Sequence, residues 1–175
     1  MAKRDNHYEA AFEEYLRDRR LPYVAVDERR RALSADGSLK SLDFIVSPPG
    51  ARSWLVDVKG RRFPTGDTHK SYWKNWSTRD DLRSLALWQQ HFGEAFEPLL
   101  VFAYHLVADR SPVPPDRLFY FRGQAYAFIG LRLLDYASGA RPLSPSWDTV
   151  YMSTSGFRSR AVECDELFGV AAQVA

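Results

Sequence analysis

The chain has 175 residues, of which 45% are hydrophobic and 14% aromatic, enough for one packed domain over residues 1–175 and too apolar for a disordered chain. Lys and Arg number 24 and Asp and Glu 22, so the net charge is +2, and any attraction for nucleic acid must come from how charge is distributed. The single cysteine, Cys164, excludes an internal disulfide framework and a multi-cysteine zinc site. No apolar run approaches a membrane span, and Met1-Ala2-Lys3-Arg4-Asp5 leads into a charged helix rather than a signal-peptide core. The expectation is a cytoplasmic protein with no membrane partner.

Tyr8, Phe12, Tyr15 and Leu16 recur at helical spacing and predict a helix over 6–20, capped by Asp5 or Asn6. Pro22 lies just beyond its end, and 23–26 reads as a short strand. Residues 27–40, with Arg29-Arg30-Arg31 and Asp36-Gly37, read as a polar connection holding one helical turn. Strands are predicted at 42–46 and 54–59; between them Pro48-Pro49-Gly50 marks a turn, and its prolines keep the two strands from merging. Residues 60–77 show no periodicity but are dense in charge and aromatics. Thr78 can cap a helix to His91, with Leu82, Leu85 and Trp88 inward and Gly93 as its stop. Residues 99–104 are continuously apolar, as in a buried central strand. After a proline loop at 111–115, a hairpin is predicted at 118–121 and 125–129, a short helix at 132–138 and a last strand at 149–152. This order implies a mixed sheet flanked by helices.

The chemistry gathers at Asp57-Val58-Lys59, the end of the apolar run Trp54-Leu55-Val56. Side chains alternate along a strand, so Asp57 and Lys59 point one way and Trp54, Val56 and Val58 the other. A second acid, Asp43, lies in the preceding strand, flanked by Leu42, Phe44, Ile45 and Val46, where an unpaired carboxylate would be costly to bury. Two carboxylates able to meet over one cation, with a lysine beside them, suit metal-assisted phosphodiester hydrolysis. By itself the tripeptide is weak: 22 acids and five lysines give roughly 0.6 acid-x-Lys occurrences by chance. An ordinary ion pair on an edge strand, worth little energetically, is the competing account. Context strengthens the catalytic one. Residues 52–79 also carry seven basic residues against two acids, concentrating positive charge just after the candidate site.

A helix with a glutamate, a strand with an aspartate, a turn, a strand ending in acid-x-Lys, a helix and a strand: this order resembles the PD-(D/E)XK nuclease superfamily. Within it the chain is most similar to the small archaeal Holliday-junction resolvase and restriction-endonuclease-like branch. Glu9 is followed seven residues later by Leu16, then by Arg20-Leu21-Pro22 and the strand from Tyr23; Asp43 matches the aspartate of the second core strand, and Asp57 and Lys59 match the acid-x-Lys pair. The resemblance covers about 5–106. Leu42 stands where the motif has a proline, and nothing after residue 110 is matched, which leaves substrate choice open.

The resemblance implies an α/β, restriction-endonuclease-like fold with a C-terminal α+β extension over 107–175, and a Mg²⁺-dependent endonuclease acting on DNA as duplex, junction or flap. Asp43 and Asp57 would hold the Mg²⁺, with Mn²⁺ a possible substitute, and the Val58 carbonyl would add a ligand. Lys59 would orient or activate water and offset charge on the phosphorane-like state. Glu9 shares a helical stripe with Phe12 and Leu16 and is the first-helix acid, with Glu13 as its competitor. Arg61, Arg62, Lys70 and Lys74 are candidate phosphate contacts, and Tyr72, Trp73 and Trp76 candidate base-stacking residues, although aromatics more often form core. Gln89 and Gln90 sit where some relatives carry a helix glutamine. No spacing supports His69 or His105 as a base, and Cys164 reads as structural. A homodimer is expected from the resemblance, since two sites cut two strands. The rival readings are a non-catalytic nucleic-acid-binding module on the same fold and an accessory protein whose Phe119, Tyr120, Phe121, Tyr126 and Trp147 bind a partner.

Overall fold

A computed structural model describes residues 6–27, 32–34 and 37–170. In chain order the elements are α1 (His7–Asp18), β1 (Tyr23–Ala25), β2 (Ala32–Ser34), β3 (Gly37–Leu39), β4 (Phe44–Val46), β5 (Ser53–Phe63), β6 (Ser77–Thr78), α2 (Arg79–Phe92) and β7 (Phe96–Leu106). A 3₁₀ turn at Pro115–Arg117 then leads to β8 (Phe119–Phe121), β9 (Gln124–Arg132), α3 (Leu133–Gly139), β10 (Arg141–Pro142), β11 (Thr149–Tyr151), α4 (Thr154–Arg160), β12 (Val162–Glu163) and α5 (Cys164–Leu167).

The apolar runs around Val56 and Val101 become the two longest strands, β5 and β7, which pair in parallel from Ser53↔Phe96 to Phe63↔Leu106. The main sheet runs β1-β4-β5-β7-β9-β12, with β8 added on β9, and every pairing except β5–β7 is antiparallel. It is therefore the mixed sheet expected. A parallel pair needs a crossover connection, and α2 supplies it.

Alternation along β5 feeds two cores. Trp54, Val56 and Val58 face α1, where Phe12 meets Phe44 and Phe128 edge-on at 5.4 and 5.3 Å. Leu55 and Phe63 face the other way, toward Leu85 of α2, Tyr136 of α3 and Phe157 of α4. Each buried side chain of this size stabilises the fold by about 1.5–3 kcal/mol. The helix ends follow the sequence signals. Asn6 Oδ1 accepts from Tyr8 N at 3.0 Å, and Thr78 and Asp81 form a reciprocal capping box at the start of α2.

Three stretches differ from expectation. The described part of 27–40 is a β2–β3 hairpin rather than a helical turn, while Arg29-Arg30-Arg31 and Asp36 lie outside the described residues. β5 runs on to Phe63, because its partner β7 continues to Leu106 and stays in register with each added residue. The strand at 149–151 is not the last: it joins β10 and β6 in a separate three-stranded sheet, and β12 follows it. Gly60 has no side chain where α1 crosses β5; a Cβ there would lie 2.1 Å from Tyr8 Cδ2. Among the described residues no helix is long and apolar enough to cross a membrane.

Candidate active site

Asp57 and Lys59 project from β5 toward α2, between Leu55 and Phe63 on the same face. β5 runs between β4 and β7; although β4 ends opposite Val56, the Asp57 and Lys59 side chains are each only 15% exposed, so the pair is not a solvated edge-strand contact. Asp43 enters from the residue before β4. Its backbone N donates to Val56 O at 2.9 Å, and its Oδ2 accepts from Val58 N at 2.6 Å, so the strand pairing itself aims the carboxylate. Glu9 comes from the first turn of α1, where Asn6 Nδ2 donates to its Oε1 at 2.6 Å. Glu9 and Asp43 are only 4% and 5% exposed.

These groups line one cleft of about 360 Å³ with Lys40, Ser41, Val58, Lys59 and Asp81. Glu9, rather than Glu13, is the helix acid in it. Glu13 instead pairs with Arg17 and accepts from Tyr23 Oη, both at 3.0 Å.

Sequence reading missed Asp81. Lys59 Nζ lies 2.9 Å from both Asp57 Oδ2 and Asp81 Oδ2, and Lys40 Nζ lies 2.8 Å from Asp81 Oδ1. Ser77 Oγ donates to Asp81 Oδ2 at 3.2 Å and Thr78 N at 3.1 Å. The signal was present: Thr78-x-x-Asp81 is a capping-box pattern, which puts Asp81 in the first helical turn. Only the tertiary fold brings that turn to Lys59.

The electrostatics follow from four carboxylates (Glu9, Asp43, Asp57, Asp81) meeting two ammonium groups (Lys40, Lys59) in the cleft. Burial pushes the Asp57 carboxyl above its ordinary range; Lys59 opposes this, and Asp81 adds to it. Burial alone would lower Lys59, but Asp57 and Asp81 outweigh it and hold the ammonium charged above the usual lysine range. Burial likewise works against ionised Asp81, yet Lys59, Lys40 and Thr78 hold it well below the ordinary carboxylate range.

Among the described residues no three His, Cys, Asp or Glu side chains form a ready-made metal cage. The donor set that does exist, Asp43 and Asp57 in a cleft with excess negative charge, fits a hard divalent cation that keeps several of its waters.

No protein-family model matches the sequence, nor does any curated protein. In structure the chain is similar to Hjc, a Holliday junction resolvase from the archaeal hyperthermophile Archaeoglobus fulgidus. The TM-score is 0.56 at 12% identity, over 95% of this chain and 97% of that one. The fold is restriction-endonuclease-like. At this identity the likeness is one of fold. It reaches well past residue 106, so most of the segment after 107, unmatched in sequence, is shared with a restriction-endonuclease-like structure. β9 explains why: it is the antiparallel neighbour of β7 in the main sheet.

On this restriction-endonuclease-like frame the other predicted residues divide. Arg61 lies on the Asp57–Lys59 side of β5, but its guanidinium is engaged by protein. Nη1 donates to Gly60 O at 2.6 Å, Nη2 to Trp76 O, and the group lies 3.8 Å from the Trp76 ring centroid. Burial lowers its pKa. Arg62, Lys70 and Lys74 are exposed, and only a long 3.8 Å contact joins Arg62 to Asp67. Tyr72 and Trp73 pack on Phe63 at 5.2 and 5.4 Å, as core aromatics do, whereas Trp76 is 42% exposed. Gln89 donates to Phe96 O at 3.2 Å and Gln90 is exposed, so neither lines the cleft. His69 is exposed; His105 lies against Gln124 at 2.7 Å, away from the carboxylates. Cys164 is buried, and burial pushes its thiol pKa up, as suits a structural residue.

Proposed function

We propose that this protein is a divalent-metal-dependent nuclease that hydrolyses phosphodiester bonds in DNA, with Mg²⁺ as its ion and Mn²⁺ as a working substitute. The observation that carries the proposal is the convergence of Glu9, Asp43, Asp57 and Lys59 in one cleft on a restriction-endonuclease-like fold. Asp43 and Asp57 would hold the ion, with the Val58 carbonyl close by. When bound, the ion supplies a Lewis acid for a phosphoryl oxygen and lowers the pKa of a bound water.

The chain's own groups do the rest. Lys59, kept as an ammonium by Asp57 and Asp81, offers a fixed positive charge to the oxygens of the pentavalent state. It works as an electrostatic and orienting group, because a lysine held charged cannot take a proton from water. Glu9, held by Asn6 in the same cleft, is the acid placed to order or deprotonate a water. The interior position of β5 keeps these groups in register without a ligand to organise them.

The test is cleavage of supercoiled plasmid, linear duplex and a four-way junction with Mg²⁺ or Mn²⁺. The junction belongs in the set because Hjc is a Holliday junction resolvase. Metal-dependent cutting is expected, falling on the order of 10²-fold or more in Asp57→Ala and in Lys59→Ala. A folded protein that binds DNA with a steep salt dependence and cuts none of these would overturn the nuclease in favour of a binding module.

A further inference from the structure

The small sheet β10-β11-β6 stands beside the cleft, and its outward face plays no part in the chemistry proposed above. Its register pairs Arg141 with Tyr151, Thr149 with Thr78 and Val150 with Ser77. Val150 and Ser77 are buried, so the alternate positions face outward. One step along the same antiparallel register sets Tyr151 opposite Trp76. Arg141, Tyr151 and Trp76 thus form a cross-strand row, and all three are exposed. The β10–β11 connection adds a second exposed indole, Trp147.

Trp76 is also mounted rigidly. One face of its ring is covered by the Arg61 guanidinium at 3.8 Å, and that guanidinium is tied to the carbonyls of Gly60 and of Trp76 itself. A flat aromatic surface held in place this way loses little entropy when a second flat group stacks on it. The row adjoins the candidate active site at two places. Ser77, next to Trp76, donates to Asp81 Oδ2, and Arg61 follows Lys59 by two positions on β5. Exposed Arg62, Lys70 and Lys74 come from the same stretch of chain, so the surroundings suit a polyanion.

We propose that the Trp76–Tyr151–Arg141 row is a stacking surface for an unpaired nucleobase, so that the preferred substrate presents an unstacked base beside the scissile phosphate. This deepens the nuclease reading and rests on it. A base inside a continuous duplex has both faces covered by its neighbours. A base at a gap, a branch point or a strand end has a face to give, and base–aromatic stacking tolerates any sequence.

Binding is measured by fluorescence anisotropy in EDTA, so that no strand is cut, with a continuous DNA duplex and the same duplex carrying a short single-stranded gap. Wild type is expected to prefer the gapped DNA. Trp76→Ala is expected to lose about tenfold on the gapped DNA and less than about twofold on the duplex, and Trp76→Phe to keep most of the preference. Trp76→Leu covers Arg61 with apolar bulk but has no aromatic face. It should behave as Trp76→Ala does, and it replaces that variant if thermal melting shows Trp76→Ala to be unfolded. Tyr151→Ala should move in the same direction by less. Equal losses on both DNAs, or no loss in Trp76→Leu, would overturn the stacking surface, as would a wild type that does not prefer the gap. Selective loss in a protein that cuts nothing would keep the surface and remove the nuclease. Cutting that survives with no Trp76 effect would do the reverse.

Discussion

At the scale of single residues, the charges in the cleft make opposite demands on stability. Asp81 has a folded-state pKa below the ordinary 3.8, so its ionised form is favoured by folding. That contribution is present above the ordinary range and is lost as pH falls toward the folded value. The stability of wild type should therefore drop as pH is lowered below about 4, and Asp81→Asn should be less stable at neutral pH but flatter in this acid range. Urea denaturation across pH checks it. Asp57 has the reverse sign. Its carboxyl is raised by burial, with Asp81 adding to the rise, so its charge works against folding above the ordinary range. In EDTA at neutral pH, Asp57→Asn should be more stable than wild type, since Lys59 keeps Asp81 as partner. Mg²⁺ at ten times its Kd should add about 1.4 kcal/mol to wild type and nothing to Asp57→Asn. A melting temperature equally indifferent to Mg²⁺ in both proteins would remove the metal from the account.

Among the elements, β5 and α1 are bound by a steric requirement. Gly60 leaves room for the Tyr8 ring, and Tyr8 precedes Glu9 in the chain. Gly60→Ala should cost on the order of 1–3 kcal/mol of stability, because the ring must move and takes the start of α1 with it. In a nuclease the same change should lower cleavage by displacing Glu9, while Gly50→Ala, which strains a turn residue at φ +70° but meets open space, should cost stability locally without reaching the site. Much at this scale could be read from sequence, as Phe12 and Leu16 fixed the buried stripe of α1, and Thr78 and Gly93 marked the ends of α2. The far half of β5 could not be read. Gly60-Arg61-Arg62 breaks the apolar alternation, and only pairing with β7 makes it strand. The aromatics at 72–76 were ambiguous for a similar reason. Core and surface aromatics share a composition, and the packing of Tyr72 and Trp73 on Phe63 is a tertiary fact.

For the molecule as a whole, net charge says little and its placement more. Replacing exposed Arg62, Lys70 and Lys74 together by alanine should weaken DNA binding uniformly. The slope of log K against log salt should shrink by about 2–3, with the melting temperature unchanged. Asp43, Asp57 and Lys59 were found in sequence because strand alternation and the cost of burying acids are local arguments. Asp81 and the Arg141–Tyr151–Trp76 row were not, because they depend on contacts between segments far apart in the chain. β5 has one further consequence. From Trp54 to Val56 it is paired on both sides, with β4 and with β7, and these three side chains are buried on the two packed cores. The amides of Leu55 and Val56 should therefore exchange with deuterium only when the whole chain opens, whereas those of the two-residue strands β6 and β10 should exchange through small local excursions. Mutational drift can then remodel the rim without disturbing the carboxylates, so descendants of this sequence can change what they grip while their innermost strand stays as it is.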